Sequence, residues 1–537
     1  MSWLATPRAT VVAIVLSLVV AAGSLRLGFI TDDQAFRAKL HHEPNALDLF
    51  RFQSGDPAAN AELIRVGRLP WWSAPELKIH FFRPLTGEEL AAEDAVFGGA
   101  ALGYHALGLV WFALLLAGVA VLYRALVSPA AATLGVAVFG LMGAHTEAYA
   151  WISARHVLIG TTCAAWALAG YTRLATRWRW GALAPLVLGL AASEAALGAI
   201  PIWCAIAWRN GRRRDCILPI AVGIAYLVVY AALGAGTRGS GGYHDPFSDP
   251  VGYLGLAIIR LPILLGDAAL AIPSGLALFG PAPALVLVGL VAIGIVAWAW
   301  GEVDRSLLWL VAGGIAALLP GLAGYPVGRV LVVPDLAFAA VLGAIVARGW
   351  KLGPMIVAAA HLIWAPLFGL HEQRALAQRG HVADRAATDV AALVPFHTRA
   401  IVIAAASPYV FLYPRGILAE TSPGAVSCWS VLSAAASRHR LTRTGEKSFT
   451  LEALDRPLLA GSFDTLFRGP GHPFHTGDTF DQCGATIRIA RVQDDLPVEL
   501  AISYQRRLDD PQLTFLAWHA PHLERFAFPP IGASVEL

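Results

Sequence analysis

Long apolar stretches broken by short polar segments fill the first 370 residues, and a different pattern fills the rest. Runs long enough to span a bilayer fall near 9–30, 103–122, 130–145, 156–172, 217–235, 282–300, 306–322, 330–347 and 353–370. A further stretch, 181–208, follows Arg173, Arg177 and Arg179 and precedes Arg209, Arg212, Arg213 and Arg214. Arg-rich loops stay in the cytoplasm. This stretch is therefore expected to go out and return as two short helices turning near Glu194, which gives about eleven spans.

Parity then orders the loops. With Arg8 inside, 31–102 lies outside; Tyr123-Arg124, 173–180, 209–216, Arg305, Arg348 and Lys351 lie inside. The segments 145–155, 236–250 and 323–329 lie outside, as does the chain after residue 370. This requires that 251–280 does not cross. Arg260, Asp267 and Pro273 interrupt it, and it reads as an amphipathic or re-entrant segment on the outer face. A crossing there would invert everything that follows. Ala21-Ala22-Gly23 would suit signal cleavage, but the polar chain resumes only at Thr31, so the first run is long enough to span.

Residues 371–537 regain polar character. Short apolar or alternating runs at 400–404, 448–451, 485–489 and 513–518 are separated by turn signals such as Arg468-Gly469-Pro470-Gly471 and Asp509-Asp510-Pro511. A short helix is expected near 384–394. The domain reading is therefore 1–370, a membrane domain with first outer loop 31–102, and 371–537, a β-rich domain outside the membrane.

Composition narrows the class. The 537 residues are 57% hydrophobic and 14% charged, against about 25% charged in soluble domains. A soluble enzyme, a disordered chain and a disulfide-stapled secreted domain are excluded for the bulk of the chain. The net charge of +3 is too small to suggest nucleic acid. Of five cysteines, Cys163, Cys204 and Cys216 lie in or beside spans. Cys428 and Cys483 either bridge in an oxidising space or stay as buried thiols.

Chemistry-bearing residues gather at the outer ends of the spans. Thr31-Asp32-Asp33 stands where the first span exits; one acid can cap the following helix while the other points into a cavity. Phe81-Phe82-Arg83-Pro84-Leu85, Asp94 and Tyr104-His105 follow. In the segment His145 to Arg155, helical spacing puts Glu147, Trp151 and Arg155 on one face. An interfacial belt explains Trp151 and Tyr149 but explains Glu147 badly. Glu194 is an intramembrane carboxylate, a functional candidate by default, with a wet loop tip as the bland alternative. Arg329 sits on the side where positive residues are disfavoured; a phosphate from an outer-leaflet lipid would account for it, and a plain interface anchor is the alternative.

Asp32-Asp33, Phe82-Arg83-Pro84-Leu85, Tyr104-His105 and His145-x-Glu147-x-x-x-Trp151-Ile152-x-x-Arg155 resemble, in order, the motifs of GT-C superfamily membrane glycosyltransferases. The likeness is to the membrane part of the tetratricopeptide-containing transmembrane O-mannosyltransferases and their bacterial relatives, over about residues 20–350. Ser193-Glu194 resembles that group's Lys-Glu motif at its Glu only, and Arg329-Val330-Leu331-x-x-Pro334 resembles its late Arg segment. With Ser193 in place of Lys, the charge balancing Glu194 must come from elsewhere, with Arg155 as a candidate. No tetratricopeptide repeats follow, so neither protein acceptor nor mannose specificity carries over.

The resemblance implies inverting transfer of a sugar from a polyprenyl-phosphate donor to a glycan, lipid or protein acceptor at the outer face of the cytoplasmic membrane. Asp33, narrowly preferred, or Asp32 would be the general base, and Arg329 with Arg155 would hold the donor phosphate. Arg83, His105, His145, Glu147 and Glu194 would support them. No cofactor is required by the sequence, and a divalent metal is compatible with it. The rival classes are a non-enzymatic protein that binds or transports membrane lipid or polysaccharide, and a degenerate relative that only binds partners. A transporter would carry polar residues through the full depth of its spans, whereas here they collect at one end.

Overall fold

The computed structural model describes residues 2–175, 177–301 and 305–537; Thr176, in the loop 173–180, lies outside them. Six helices among the described residues are long and apolar enough to cross a membrane: Pro7–Arg26, Ala101–Leu126, Arg213–Ala232, Pro250–Leu270, Ala282–Trp300 and Leu352–Leu393. A seventh results if Pro129–Leu141 and Gly143–Ala150, bent by 50°, form one span. Shorter apolar helices run over Arg179–Ala192, Leu308–Ala323 and Asp335–Val346. The chain thus has a multi-span helical membrane region followed by a β-rich part.

Small residues let the bundle close. A Cβ on Gly343 would lie 2.4 Å from the Gly135 amide nitrogen, so Asp335–Val346 and Pro129–Leu141 touch backbone to backbone. Without a hydrophobic force between helices in lipid, such close packing is what holds them.

Contacts sort the connections into two ends. At one end Arg124 donates to the Thr6 carbonyl at 3.1 Å, and Arg179 meets Asp215 at 3.1 Å. The second contact joins the two flanks of 181–208, which turns back through Leu183–Ala192, Glu194–Gly198 and Ala199–Arg209. At the other end, Lys78–His80 pairs on one side with Arg51–Ser54 and on the other with Gly236–Arg238, a three-stranded sheet joining 31–102 to the loop 236–250. The His244 amide donates to the Ala323 carbonyl there at 2.8 Å. Pro250–Leu270 is one 21-residue helix. Tyr253 on it donates to the Leu319 carbonyl, Arg260 to those of Leu322 and Gly242, and Leu278, beyond its C-terminus, accepts from Ser462.

The β-rich part has two sheets. A four-stranded one runs in the order His522–Arg525, Leu513–His519, Thr398–Ala404, Val426–Ser433, with its last three strands parallel. A six-stranded antiparallel sheet runs Ser534–Glu536, His439–Arg443, Ser448–Ala453, Leu496–Tyr504, Ala485–Gln493, Thr479–Gln482. Each of the four runs read as strand in the sequence lies in one of them. Cys428 and Cys483 form a disulfide.

Two features depart from the sequence reading. The helix expected at 384–394 is the end of a 29-residue helix, Ala365–Leu393, which passes through residue 370 without a break. Its apolar beginning and amphipathic end look like separate elements to a window-based reading. The β-rich part also shares its core with the first loop. Trp71 and Trp72, 0% and 1% exposed, donate to the Leu432 and Asp464 carbonyls, and Gln482 donates to the Leu69 carbonyl.

Candidate active site

Two adjoining cavities open where the first loop meets the span ends, and the β-rich part lines the second of them. Arg329, Tyr243, Tyr325, Phe81 and Val327 line both. The first cavity, about 470 Å³, is walled mainly by apolar residues such as Leu197, Leu227, Ala231, Val330 and Val333. Its polar residues include a locked pair. The Arg83 guanidinium donates through both Nε and Nη2 to the Glu194 carboxylate, and its Cζ lies 4.3 Å from the Phe81 ring centroid and 5.0 Å from that of Phe50. Arg83, not Arg155, therefore balances Glu194. Ser193, fully buried, lies 3.0 Å from His156 Nδ1.

The second cavity, about 460 Å³, holds Asp32, Glu147, Arg329, Glu372 and Arg379 beneath Tyr409, Tyr413 and Phe463 of the β-rich part. Glu147 Oε2 accepts from Arg329 Nη1 at 2.7 Å, and the Arg329 Cζ stands 5.3 Å from the Trp151 ring centroid. Glu372 pairs with Arg379 at 2.8 Å.

The two neighbouring aspartates differ sharply. Asp33 is buried with both oxygens occupied: Oδ2 accepts from the Ile30 amide at 2.8 Å, and Oδ1 accepts from the Ser153 amide at 2.9 Å and its hydroxyl at 2.5 Å. It ties the exit of the first span to the turn after Trp151. Asp32, half-buried, lines the second cavity and makes no side-chain hydrogen bond among the described residues. Of the pair, Asp32 lines the cavity and Asp33 is tied to Ile30 and Ser153, and neither side chain caps the helix Asp32–His42, whereas the sequence reading narrowly preferred Asp33 for the cavity. Burial and the neighbouring Asp33 push the Asp32 carboxyl up to about 7, against the pull of Arg329. Burial pushes Asp33 to about 6, against its hydrogen bonds from Ser153 and Ile30.

The remaining candidates scatter. Glu147, Trp151 and Arg155 do not share a helix face, because the helix Thr146–Ala150 ends at Trp151 and a new one starts at Arg155. Asp33 takes the hydrogen bonds of Ser153 in that break. Arg155, 1% exposed, pairs with Glu93 and, at 3.2 Å, with Glu89, and lines neither cavity. His105 Nε2 donates to the Gly28 carbonyl at 3.1 Å, and His145 Nε2 bonds Asp335 Oδ2 at 2.8 Å; both histidines are buried. Among the described residues no group of three or more His, Cys, Asp or Glu is placed to hold a metal ion. His156, Tyr243, Tyr325, Glu372, Arg379, Tyr409 and Tyr413 escaped the sequence reading. Only the Tyr409-x-x-x-Tyr413 spacing carried a local signal.

No protein-family model matches the chain, and no curated protein matches it. Solved structures give distant likenesses. The Archaeoglobus fulgidus oligosaccharyltransferase, tethered to an acceptor peptide, aligns at 12% identity over 80% of this chain and 64% of its own, with a TM-score of 0.42. Its apo form aligns at 13% identity over 78% and 64%, with a TM-score of 0.40. ArnT from Cupriavidus metallidurans bound to undecaprenyl phosphate aligns at 13% identity over 78% and 89%, with a TM-score of 0.29. The chain thus spans less than two thirds, 64%, of the length of the oligosaccharyltransferase it resembles.

Proposed function

We propose that the protein is a membrane glycosyltransferase that moves a sugar from a polyprenyl-phosphate donor to an acceptor hydroxyl at the outer face of the cytoplasmic membrane. The observation that carries this reading is the Asp32 carboxylate without a hydrogen-bond partner among the described residues, in a cavity that shares Arg329 with a second, apolar one. The apolar cavity suits the lipid end of the donor, with Arg329 at the junction to take its phosphate. The acceptor oxygen attacks the anomeric carbon as its proton passes to Asp32. The bond from that carbon to the phosphate oxygen breaks, the electron pair leaves with polyprenyl phosphate, and the configuration inverts. A general base works best with a pKa near the working pH, and about 7 meets that condition. Asp33, Arg83 with Glu194, and Arg155 with Glu93 hold the frame.

The topology belongs to the same proposal. Eleven spans are obtained if Pro250–Leu270 lies along the outer end, as its contacts with Gly242 and Leu322 support, and if the bent pair Pro129–Leu141 with Gly143–Ala150, the three shorter apolar helices, Arg155–Arg173 and Ala199–Arg209 all cross. The β-rich part then lies outside, where an oxidising space suits the Cys428–Cys483 bridge. The test is a transfer assay with purified protein in nanodiscs, offered polyprenyl-phosphate hexoses and the cell's own surface glycans. Transfer that depends on Asp32 is expected. A protein that binds the lipid yet transfers nothing, with every surface glycan unchanged by its deletion, would make it a binding or transport protein.

A further inference from the structure

The second cavity has a roof that the chemistry above does not use. Tyr409 and Tyr413, four residues apart, stand almost parallel, with ring centroids 6.0 Å apart and planes at 17°. Phe463 meets Tyr409 edge-on at 6.3 Å. The roof is held firmly over Asp32. A Cβ on Gly416 would come within 2.9 Å of the Ala35 Cβ, so the helix Pro414–Thr421 lies directly against Asp32–His42. Glu420 and Asp94 grip Arg37 and His41 from two sides, at 2.7 to 3.2 Å. Tyr413 makes no side-chain hydrogen bond among the described residues, and it lines the same cavity as Asp32.

We propose that Tyr409, Tyr413 and Phe463 form a carbohydrate subsite that seats a pyranose ring of the acceptor against aromatic faces, with its hydroxyl edge toward Asp32; this rests on the glycosyltransferase reading. A pyranose has an apolar face of C–H bonds and an edge of hydroxyls. Rigid tyrosine faces match the first, and the Glu372–Arg379 pair and Asp32 in the same cavity match the second. Most of this cavity's wall is apolar, and Asp32, Glu147, Glu372 and Arg379 set polar groups into it, the mixed lining that a ring with one C–H face and one hydroxyl edge requires.

The experiment is saturation-transfer NMR on the full chain in nanodiscs with methyl glucoside, methyl galactoside and methyl mannoside, beside a separate titration with undecaprenyl phosphate. At least one glycoside is expected to receive saturation at its ring C–H protons. Tyr409→Leu, which keeps apolar bulk but loses the flat face, should weaken that glycoside about three- to tenfold, and Tyr409→Phe should bind as wild type. Undecaprenyl phosphate affinity should be the same in all three proteins. Lack of saturation of every glycoside, or equal binding by Tyr409→Leu, overturns the subsite. Undecaprenyl phosphate then separates the two claims: if it binds, the donor reading stands without the sugar platform, and if it does not, the donor reading falls while the glycoside result still decides the platform.

Discussion

The two cavities meet at Arg329 but hold their carboxylates differently. The first lies mainly among span ends, and its Glu194 carboxylate is locked to Arg83. The second draws walls from the first loop, the spans and the β-rich part, and it keeps Asp32 free of hydrogen bonds among the described residues. Burying a charge is costly unless it is paired. A locked pair beside apolar walls therefore suits a passive binding surface, and a free carboxylate at a shared junction suits reaction. The same contrast recurs in miniature between Asp33, saturated by three donors, and its neighbour Asp32.

The largest expected effect separates those two residues. Asp32→Asn should lower turnover by about two to four orders of magnitude and leave thermal unfolding unchanged. Asp33→Asn should behave as a structural lesion: the amide cannot accept from all three donors, costing about 1–3 kcal/mol and lowering the melting temperature. Kinetics and unfolding on both variants check this, and full transfer activity in Asp32→Asn would remove it from the chemistry.

Arg329 comes next. Arg329→Ala should weaken undecaprenyl phosphate binding about 10- to 100-fold, since a hydrogen bond to a charged group contributes roughly 1.5–3 kcal/mol. Arg329→Lys should not restore it, because an ammonium lacks the paired geometry of a guanidinium. Titration in nanodiscs measures both, and an unchanged dissociation constant would detach Arg329 from the donor.

A smaller effect follows from pH. The base acts in its ionised form, and the Asp32 pKa is raised to about 7. Turnover should therefore rise about tenfold per pH unit below that value and level off above it. A pH–rate profile flat between about 5 and 7 would be inconsistent with Asp32 as base. The smallest effect probes the apolar cavity alone. Leu227→Trp should raise the donor KM about three- to tenfold and leave the acceptor KM in place. Equal changes in both would show that the two cavities do not divide the substrates.

Much of the architecture was legible in the sequence because hydrophobic runs and Arg-flanked loops report directly on solvent. The return of 181–208 and the strands at 400–404, 448–451, 485–489 and 513–518 are of this kind. Pairings between distant elements were not legible. Nothing local says that Arg83 meets Glu194, that Arg155 goes to Glu93, or that Trp71 and Trp72 enter the core of a domain more than 300 residues away. Which of Asp32 and Asp33 lines the cavity was not legible for the same reason. Both carboxylates suit a helix start, and the donor that decides between them, Ser153, lies 120 residues on.

The most direct test is mass spectrometry of surface glycans from cells with the wild-type protein, with none, and with Asp32→Asn at equal abundance. A transferase with Asp32 as base predicts the same missing sugar residue in the deletion and the Asp32→Asn cells. Identical glycans in all three, or a full sugar complement with Asp32→Asn alone, would contradict it.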